Sequence, residues 1–500
     1  MRFQRLAWCG LLFLGACGAS SVSPPDAGLS SADATAMDAA AVPDLGIVLE
    51  DSGMGSADTG AEPSDAGADA GVEPMDAALM DGGSEPSDAG AEPSDGGADG
   101  GTPALHCAAP SLLDQEPPDV LIGRLGVFGA AGQASALTYT NLRDYSSRVV
   151  FHDGTSSTAP AQLFTAAEFN GSGSGDARPG VARPGFAAFL APRRVNDGSG
   201  LVLRRSVATG TWDGPTVGRF FGAGINALAL LQDGRVLVTA PANLVARQLE
   251  VVTYGLSGSL SATVSMASFG GVRIAATQIA IGPSDHGAVL ALTSDGVLHG
   301  YSVRSGVVDP SGASLTPPVP ANGVVAAALP SGDVYVVWNE ARTGAMTRGT
   351  TLHYDPGTME TTFGPTEIID SGSARLDLWA DQSGDLTLLR YSTGHLLFYR
   401  RIGGSWLPPT DFGAVASNGP DTLALDSEGT AYATFLAAGG IHLARVAAGS
   451  STWELPMVIA SPASSNAHAI GALSPRGVVV TYAQPTGVGG GTDIYAVICR

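Results

Sequence analysis

The chain has 500 residues, 68 of them Gly, with an apolar fraction of 44%, only 6% aromatics and a formal net charge of −22. All 25 basic residues are Arg, and the lack of Lys excludes Schiff-base chemistry and a phosphate-binding P-loop lysine. Of the 47 acidic residues, 18 lie between Gly18 and Ala104, a stretch without Arg or His. The acidity therefore belongs to one segment, and it argues against nucleic acid as a partner, because phosphate binding needs basic patches.

Residues 1–16 begin with Arg2 and Arg5 and continue into the apolar run Leu6 to Leu14. That run is too short to span a bilayer and has the layout of a secretory signal peptide. It ends Leu14-Gly15-Ala16-Cys17, which resembles the bacterial lipobox. The resemblance implies cleavage before Cys17, acylation of Cys17 (palmitate among the acyl groups) and a membrane held through that lipid. Gly18 follows where an inner-membrane retention Asp would stand, so the resemblance favours the outer membrane or cell surface. Several acyl chains anchor a protein stably, whereas one does so only marginally.

Residues 17–104 are Ala, Gly, Ser, Pro and Asp with internal near-copies, such as AEPSDAGAD from Ala61 and AEPSDGGAD from Ala91. Few large apolar side chains are present, so burial cannot offset the entropy of ordering, and a disordered tether is expected. A flexible chain of this length averages roughly 50 Å end to end. Asp65 and Asp69 lack the every-second-residue spacing of calcium loops, and no metal site is assigned to the tether.

From residue 105 to 500 the pattern changes to apolar runs of four to eight residues between Gly, Asp, Asn and Pro clusters, which reads as strands and turns throughout. Turn glycines recur in register at Gly234, Gly287, Gly332, Gly384, Gly429 and Gly477, with gaps of 53, 45, 52, 45 and 48 residues. Stepping back at the same interval reaches Gly185 and Gly132. Repeats of this length with three or four short strands predict an all-β fold, a β-propeller of about eight blades, with seven as the alternative. A lone blade cannot bury both faces of its sheet, so the repeats must pack on one another.

Several repeats carry a hairpin in which Gly precedes an aromatic residue and Pro follows: Gly210 to Trp212 with Pro215, Gly404 to Trp406 with Pro408, Gly449 to Trp453 with Pro456, and more weakly Phe363-Gly364-Pro365. These hairpins resemble the Asp-box of sialidase-like propellers, where they join the third and fourth strands. The Asp is missing here, its place in the first copy being taken by Ala208. A structural role is expected, with Gly at a left-handed position and Trp packing between blades.

With Cys9 removed and Cys17 acylated, Cys107 and Cys499 remain, one at each end of the folded part. The last repeat supplies only three runs, near Ala469–Leu473, Val478–Ala483 and Ile494–Ile498. Leu105 to Leu113 is expected to add the fourth strand and to bring Cys107 into a disulfide with Cys499, which an exported location permits.

No catalytic set assembles. Arg193-Arg194, Arg204-Arg205 and Arg400-Arg401 are adjacent pairs, so within a strand one of each points away from the other. Glu340 ends a strand and is read as a solvated rim residue. His299, His353, His395 and His442 share the third run of their repeats and should lie on different blades, too far apart to ligate one metal. No metal, cofactor or catalytic residue is therefore assigned. The expected role is binding or scaffolding of a protein or glycan partner at the cell envelope, with a diverged sialidase-like glycoside hydrolase as the alternative.

Overall fold

The computed structural model describes residues 104–500, apart from loop segments at 116–121, 130–134, 142–146, 153–157, 165–177, 194–198, 207–211, 220–226, 242–247, 256–259, 416–421, 462–467, 473–475 and 486–490 and shorter breaks at 160, 184–185, 318–319, 342–344, 373 and 393. Everything described belongs to one unit, Gly96–Arg500. The signal peptide, Cys17 and the tether up to residue 103 lie outside the described residues.

The strands form eight antiparallel sheets; seven follow chain order, and the eighth sets the N-terminal strand beside the last strand of the chain. Their first strands are Ile122–Gly129, Arg178–Arg183, Leu228–Leu230, Ile274–Ile281, Ala321–Ala328, Arg375–Ala380, Thr422–Leu425 and His468–Ala472. These eight touch one another in an unbroken circuit that returns from His468–Ala472 to Ile122–Gly129. The fold is thus an eight-bladed β-propeller, with the first strand of each blade innermost around the axis. The blades are numbered 1 to 8 in that order.

Between neighbouring blades lie apolar layers, as the two-faced packing of a propeller requires. Leu237 and Leu249 of blade 3 meet Val289 and Val303 of blade 4, and Leu290 of blade 4 meets Val336 and Trp338 of blade 5. Similar layers join blades 5 and 6, 6 and 7, and 7 and 8.

A five-residue turn joins the first and second strands. In it the first N–H reaches the fifth carbonyl, as in Leu231 to Arg235, Leu329 to Asp333, Asp381 to Asp385 and Asp426 to Thr430. The fourth residue is left-handed, and Gly234, Gly332, Gly384 and Gly429 hold it with φ of 83°, 89°, 87° and 84°. Glycine carries no Cβ penalty there. Blade 4 corrects the sequence reading. Its turn runs from Gly282 to His286, and the left-handed residue is Asp285, at φ 57°. Gly287 instead starts the second strand, where a Cβ would stand 1.9 Å from the Ala280 carbonyl oxygen. Counted through Asp285, the spacings from Gly234 and to Gly332 are 51 and 47 residues, against 53 and 45 counted through Gly287.

In blades 4, 5 and 6 the outermost strand is broken. Val307–Val308 and Ala313–Leu315 both pair with Leu298–Arg304, and the same split recurs on Met346–Asp355 and on His395–Ile402. Pro310, Pro365 and Pro408-Pro409 occupy the breaks, since a proline offers no N–H to the ladder.

The ring closes through blade 8. Thr492–Cys499 is its third strand, and the N-terminal strand Ser111–Gln115 adds beside it as the fourth, with Ser111 opposite Ala496 and Gln115 opposite Asp493. This ladder starts earlier in the chain, with His106 and Arg500 exchanging both backbone bonds, so it runs from His106 to Gln115 rather than over Leu105 to Leu113. Within it Cys107 faces Cys499, and the two form a disulfide with Cα atoms 4.0 Å apart across 392 residues of chain.

Candidate functional site

The inner strands set a steric rule. The residue two before the five-residue turn faces the following blade close to the axis, where strands crowd. In blades 3, 4, 5 and 7 it is Ala229, Ala280, Ala327 and Ala424, all buried, and in blade 8 the matching register position is the buried Gly471. In blade 6 it is Trp379, which is 41% exposed. The indole thus stands where those blades place a methyl group or a hydrogen, and it is partly open to solvent.

Trp379 stands among polar groups. Alternation along Arg375–Ala380 puts Arg375, Asp377 and Trp379 on one face, and Asp381 continues that alternation into the turn. The Trp379 side chain hydrogen-bonds to Asp377, whose carboxyl burial pushes up to about 6 against the pull of that bond and of Arg375. Trp379 pairs with Thr387, and Thr387 pairs with Arg400. Arg400 is 2% exposed and its Nη1 donates to Thr387 Oγ1. Its Nη2 is 3.8 Å from Asp381 Oδ2, beyond hydrogen-bond range. Desolvation lowers the Arg400 pKa, and Asp381 and Asp385 oppose that. Asp381 Oδ1 accepts from Ser383 N at 3.0 Å, Ser383 Oγ at 2.6 Å and Asp385 N at 2.9 Å. Its Oδ2, with Arg400 Nε and Nη2, has no hydrogen-bond partner.

Blade 7, the other blade whose described turn begins with Asp, completes the same row differently. There the sequence is Ala424, Tyr432 and Arg445. The Tyr432 hydroxyl donates to Asp426 Oδ2 at 3.0 Å, and Arg445 pairs with Glu454 at 2.6 Å. In blade 6 the shorter Thr387 leaves the corresponding acid oxygen without a hydroxyl.

Other charges are spent on holding blades. Arg401, on the opposite face from Arg400, lies over the Tyr335 ring at 4.8 Å and 3.3 Å from Glu367 Oε1. Tyr335 OH donates to Glu367, and burial raises the tyrosine pKa. Asp370 of blade 5 accepts from Arg390 and Tyr399 of blade 6. Arg183 of blade 2 reaches past blade 3 to Asp285 Oδ1 at 2.7 Å, while Gln232 N of blade 3 donates to the same carboxylate. The described guanidiniums of Arg148, Arg183, Arg348, Arg390, Arg401, Arg445 and Arg476 each sit beside a different acid, within their own blade for Arg348 and Arg445 and on another blade for the rest. Arg193 ends the second strand of blade 2 and Arg204 and Arg205 lie in its third; their side chains, and Arg194, lie outside the described residues.

Glu340 overturns the sequence expectation. It is not a solvated rim residue but 1% exposed, and Arg348 Nε donates to it at 2.6 Å from across the hairpin. The four histidines do fall on the third strands of blades 4 to 7, each with a local contact. His299 meets Ser314 Oγ at 2.8 Å, and burial lowers its pKa. His353 lies 3.3 Å from Asp333 and His395 3.0 Å from Asp411, and His442 stacks on Phe435. Among the described residues no group of three or more His, Cys, Asp or Glu could hold a metal ion.

The hairpin aromatics pack between blades, as expected from sequence. Trp406 of blade 6 donates from Nε1 to Tyr335 OH and Glu367 Oε1 of blade 5, each at 3.2 Å. Trp453 of blade 7 lies 4.6 Å from Phe398 of blade 6. Gly404 and Gly449 take positive φ, whereas Gly364 does not. The side chain of Trp212 lies outside the described residues.

No family model and no curated protein matches the chain. Similar solved structures include the β-propeller domain of the Trilobed protease from Pyrococcus furiosus, at 10% identity over 64% of this chain and 94% of that one, with a TM-score of 0.39. They also include the β-propeller domain of Cps50 (Swd1) from Myceliophteria thermophila, at 14% identity over 62% and 92%, with a TM-score of 0.37. A polysaccharide lyase, an ulvan lyase, is similar at 10% identity over 79% and 98%, with a TM-score of 0.43. These are likenesses of shape at low identity, and the propeller fold stands on the strand order and the closed circuit of inner strands.

Proposed function

We propose that this is a lipid-anchored cell-envelope protein, held at the outer membrane or cell surface through Cys17, whose propeller binds or scaffolds a glycan or protein partner. The observation that carries the binding role is Trp379, an exposed indole on an inner strand where other blades bury alanine. Single exposed aromatics at such places serve recognition, because sequences break their own packing rules chiefly at functional sites. The anchor rests on the residues Leu14 to Cys17.

Two measurements test this. Metabolic labelling with a radioactive fatty acid should mark the wild-type chain and leave Cys17→Ser unmarked; equal labelling of both would remove the anchor. Incubation of the detergent-solubilised full chain with envelope polysaccharide, followed by chromatography, should show reversible retention without new reducing ends.

Glycoside hydrolysis is the second reading, and Asp377 is what favours it. A carboxyl held protonated to about pH 6 beside a tryptophan is suited to general acid work. It needs a second carboxylate across the scissile bond, and accumulation of cleaved product in the same incubation would put this reading first.

A further inference from the structure

We propose that the Cys107–Cys499 disulfide is a strap that carries tension from the tether past the N-terminal strand and into the body of the propeller. This rests on the anchor proposed above and adds what such an anchor must withstand. A partner fixed in the envelope and held by the propeller pulls the chain taut against Cys17. The pull enters the described residues at Ala104 and reaches Cys107 three residues later. The strand it would load first resists poorly. Ala108 to Leu112 are exposed, and Leu113 is the residue of that strand that packs on Val479, Ala496 and Ile498. Its ladder begins with the His106–Arg500 bonds and the bond from Ala108 N to the Ile498 carbonyl, and its register slips between Leu112 and Asp114. An edge with few buried contacts opens locally at small cost. Pulled from its end, it would yield one pair after another.

The strand on the other side of the disulfide is the opposite case. Cys499 is fully buried and ends Thr492–Cys499, which pairs along its whole length with Val478–Pro485. Cys107 itself seats against the apolar layer between blades 7 and 8, its Sγ 3.9 Å from Met457 Sδ. Tension crossing the disulfide therefore reaches an internal strand, and Ser111–Gln115 lies outside its path. The position of the bond carries the inference. Ring closure alone would be served by a bond at any facing pair of the two strands, such as Gln115 and Asp493. Only a bond at the tether end shields the whole N-terminal strand.

The test is force spectroscopy on the full chain, held by a handle at the start of the tether and by a biotin acceptor peptide. The peptide is inserted between Gly357 and Thr358, in the exposed hairpin tip of blade 5. In non-reducing buffer the tether should straighten, with no further lengthening until the propeller itself unfolds. In dithiothreitol, below the melting temperature of the reduced protein, a step at half that force or less should come first. Its length should be roughly 50 Å, the reach of Cys107 to Leu121 at ~3.5 Å per residue. A second variant keeps the ring covalently closed but moves the bond: Cys107→Ser and Cys499→Ser with Gln115→Cys and Asp493→Cys. Without any reductant it should show an early step of roughly 25 Å, the reach of the strand released up to residue 115. An early step in the oxidised wild type overturns the proposal, as does the lack of one in the reduced protein or in the relocated variant. An unlabelled Cys17 in the fatty-acid experiment would instead remove the anchor and leave these traces as predicted, so the two readings fail separately.

Discussion

At the scale of single residues, Trp379 and the alanines in its register make different predictions. Trp379→Ala should destabilise by about 1 kcal/mol, because the indole is 41% exposed yet bonds to Asp377. Ala327→Trp, at the equivalent buried position of blade 5, should destabilise by roughly 1–3 kcal/mol through overpacking; chemical denaturation of the two variants checks this. Asp377 adds a pH signature. Its folded-state pKa of about 6 lies above the ordinary carboxylate value, so the folded protein holds the proton more tightly than the unfolded one. Its stabilising contribution is complete below about pH 4 and is lost as pH rises through about 6. Thermal melts should therefore show wild type falling relative to Asp377→Asn across that window and running parallel to it above. Glu340 gives the reverse lesson, since Arg348→Ala strips a buried carboxylate of its guanidinium and should cost roughly 3–5 kcal/mol. Neither Trp379 nor Glu340 was legible as a site from sequence. LWADQSG reads as an apolar run before a turn, although the alanines two residues before the turns at Leu231, Gly282, Leu329 and Asp426 carried the signal. Glu340 meets Arg348 only once the hairpin brings them together, and strand ends alone do not say which side is buried.

At the scale of elements, the hairpins were the most legible part, because their chemistry is local. Left-handed turn positions need glycine, which marks Gly234, Gly332, Gly384 and Gly429 in the sequence. Blade 4 escaped that reading because Asp285 takes the position, stabilised where it is by Arg183 and by the Gln232 N–H. Gly287 is required for a different reason, close approach to Ala280. Gly287→Ala should destabilise by about 3 kcal/mol or more, whereas Gly384→Ala should cost nearer 1 kcal/mol, the usual penalty for a left-handed alanine. Urea midpoints of the two variants decide between these magnitudes. The Trp–Pro signature was legible for the same local reason: Trp406 and Trp453 pack on the preceding blade, and after Trp406 the prolines break the outer strand.

At the scale of the whole molecule, the ring is an array that becomes rigid only when its two ends meet. Blade 8 takes three strands from the end of the chain and one from the start of the folded part, so every inner strand, Arg375–Ala380 included, is held between two neighbours. The end-to-end disulfide closes a loop of 392 residues, for which the chain-entropy account gives stabilisation on the order of 4–5 kcal/mol. Closure was legible because two cysteines remained at the ends of a repeat array that lacked one strand. The blade-to-blade ion pairs were not, since they depend on which blades face each other near the axis, as Arg183 and Asp285 do across blade 3. The ring, its axis and the site on blade 6 all depend on the joining of the two ends. The most direct measurement is a non-reducing peptide map of the native protein after alkylation. A peptide pair linked through Cys107 and Cys499, with neither cysteine alkylated, is the predicted result. Alkylation of both in the native protein would contradict the closed ring.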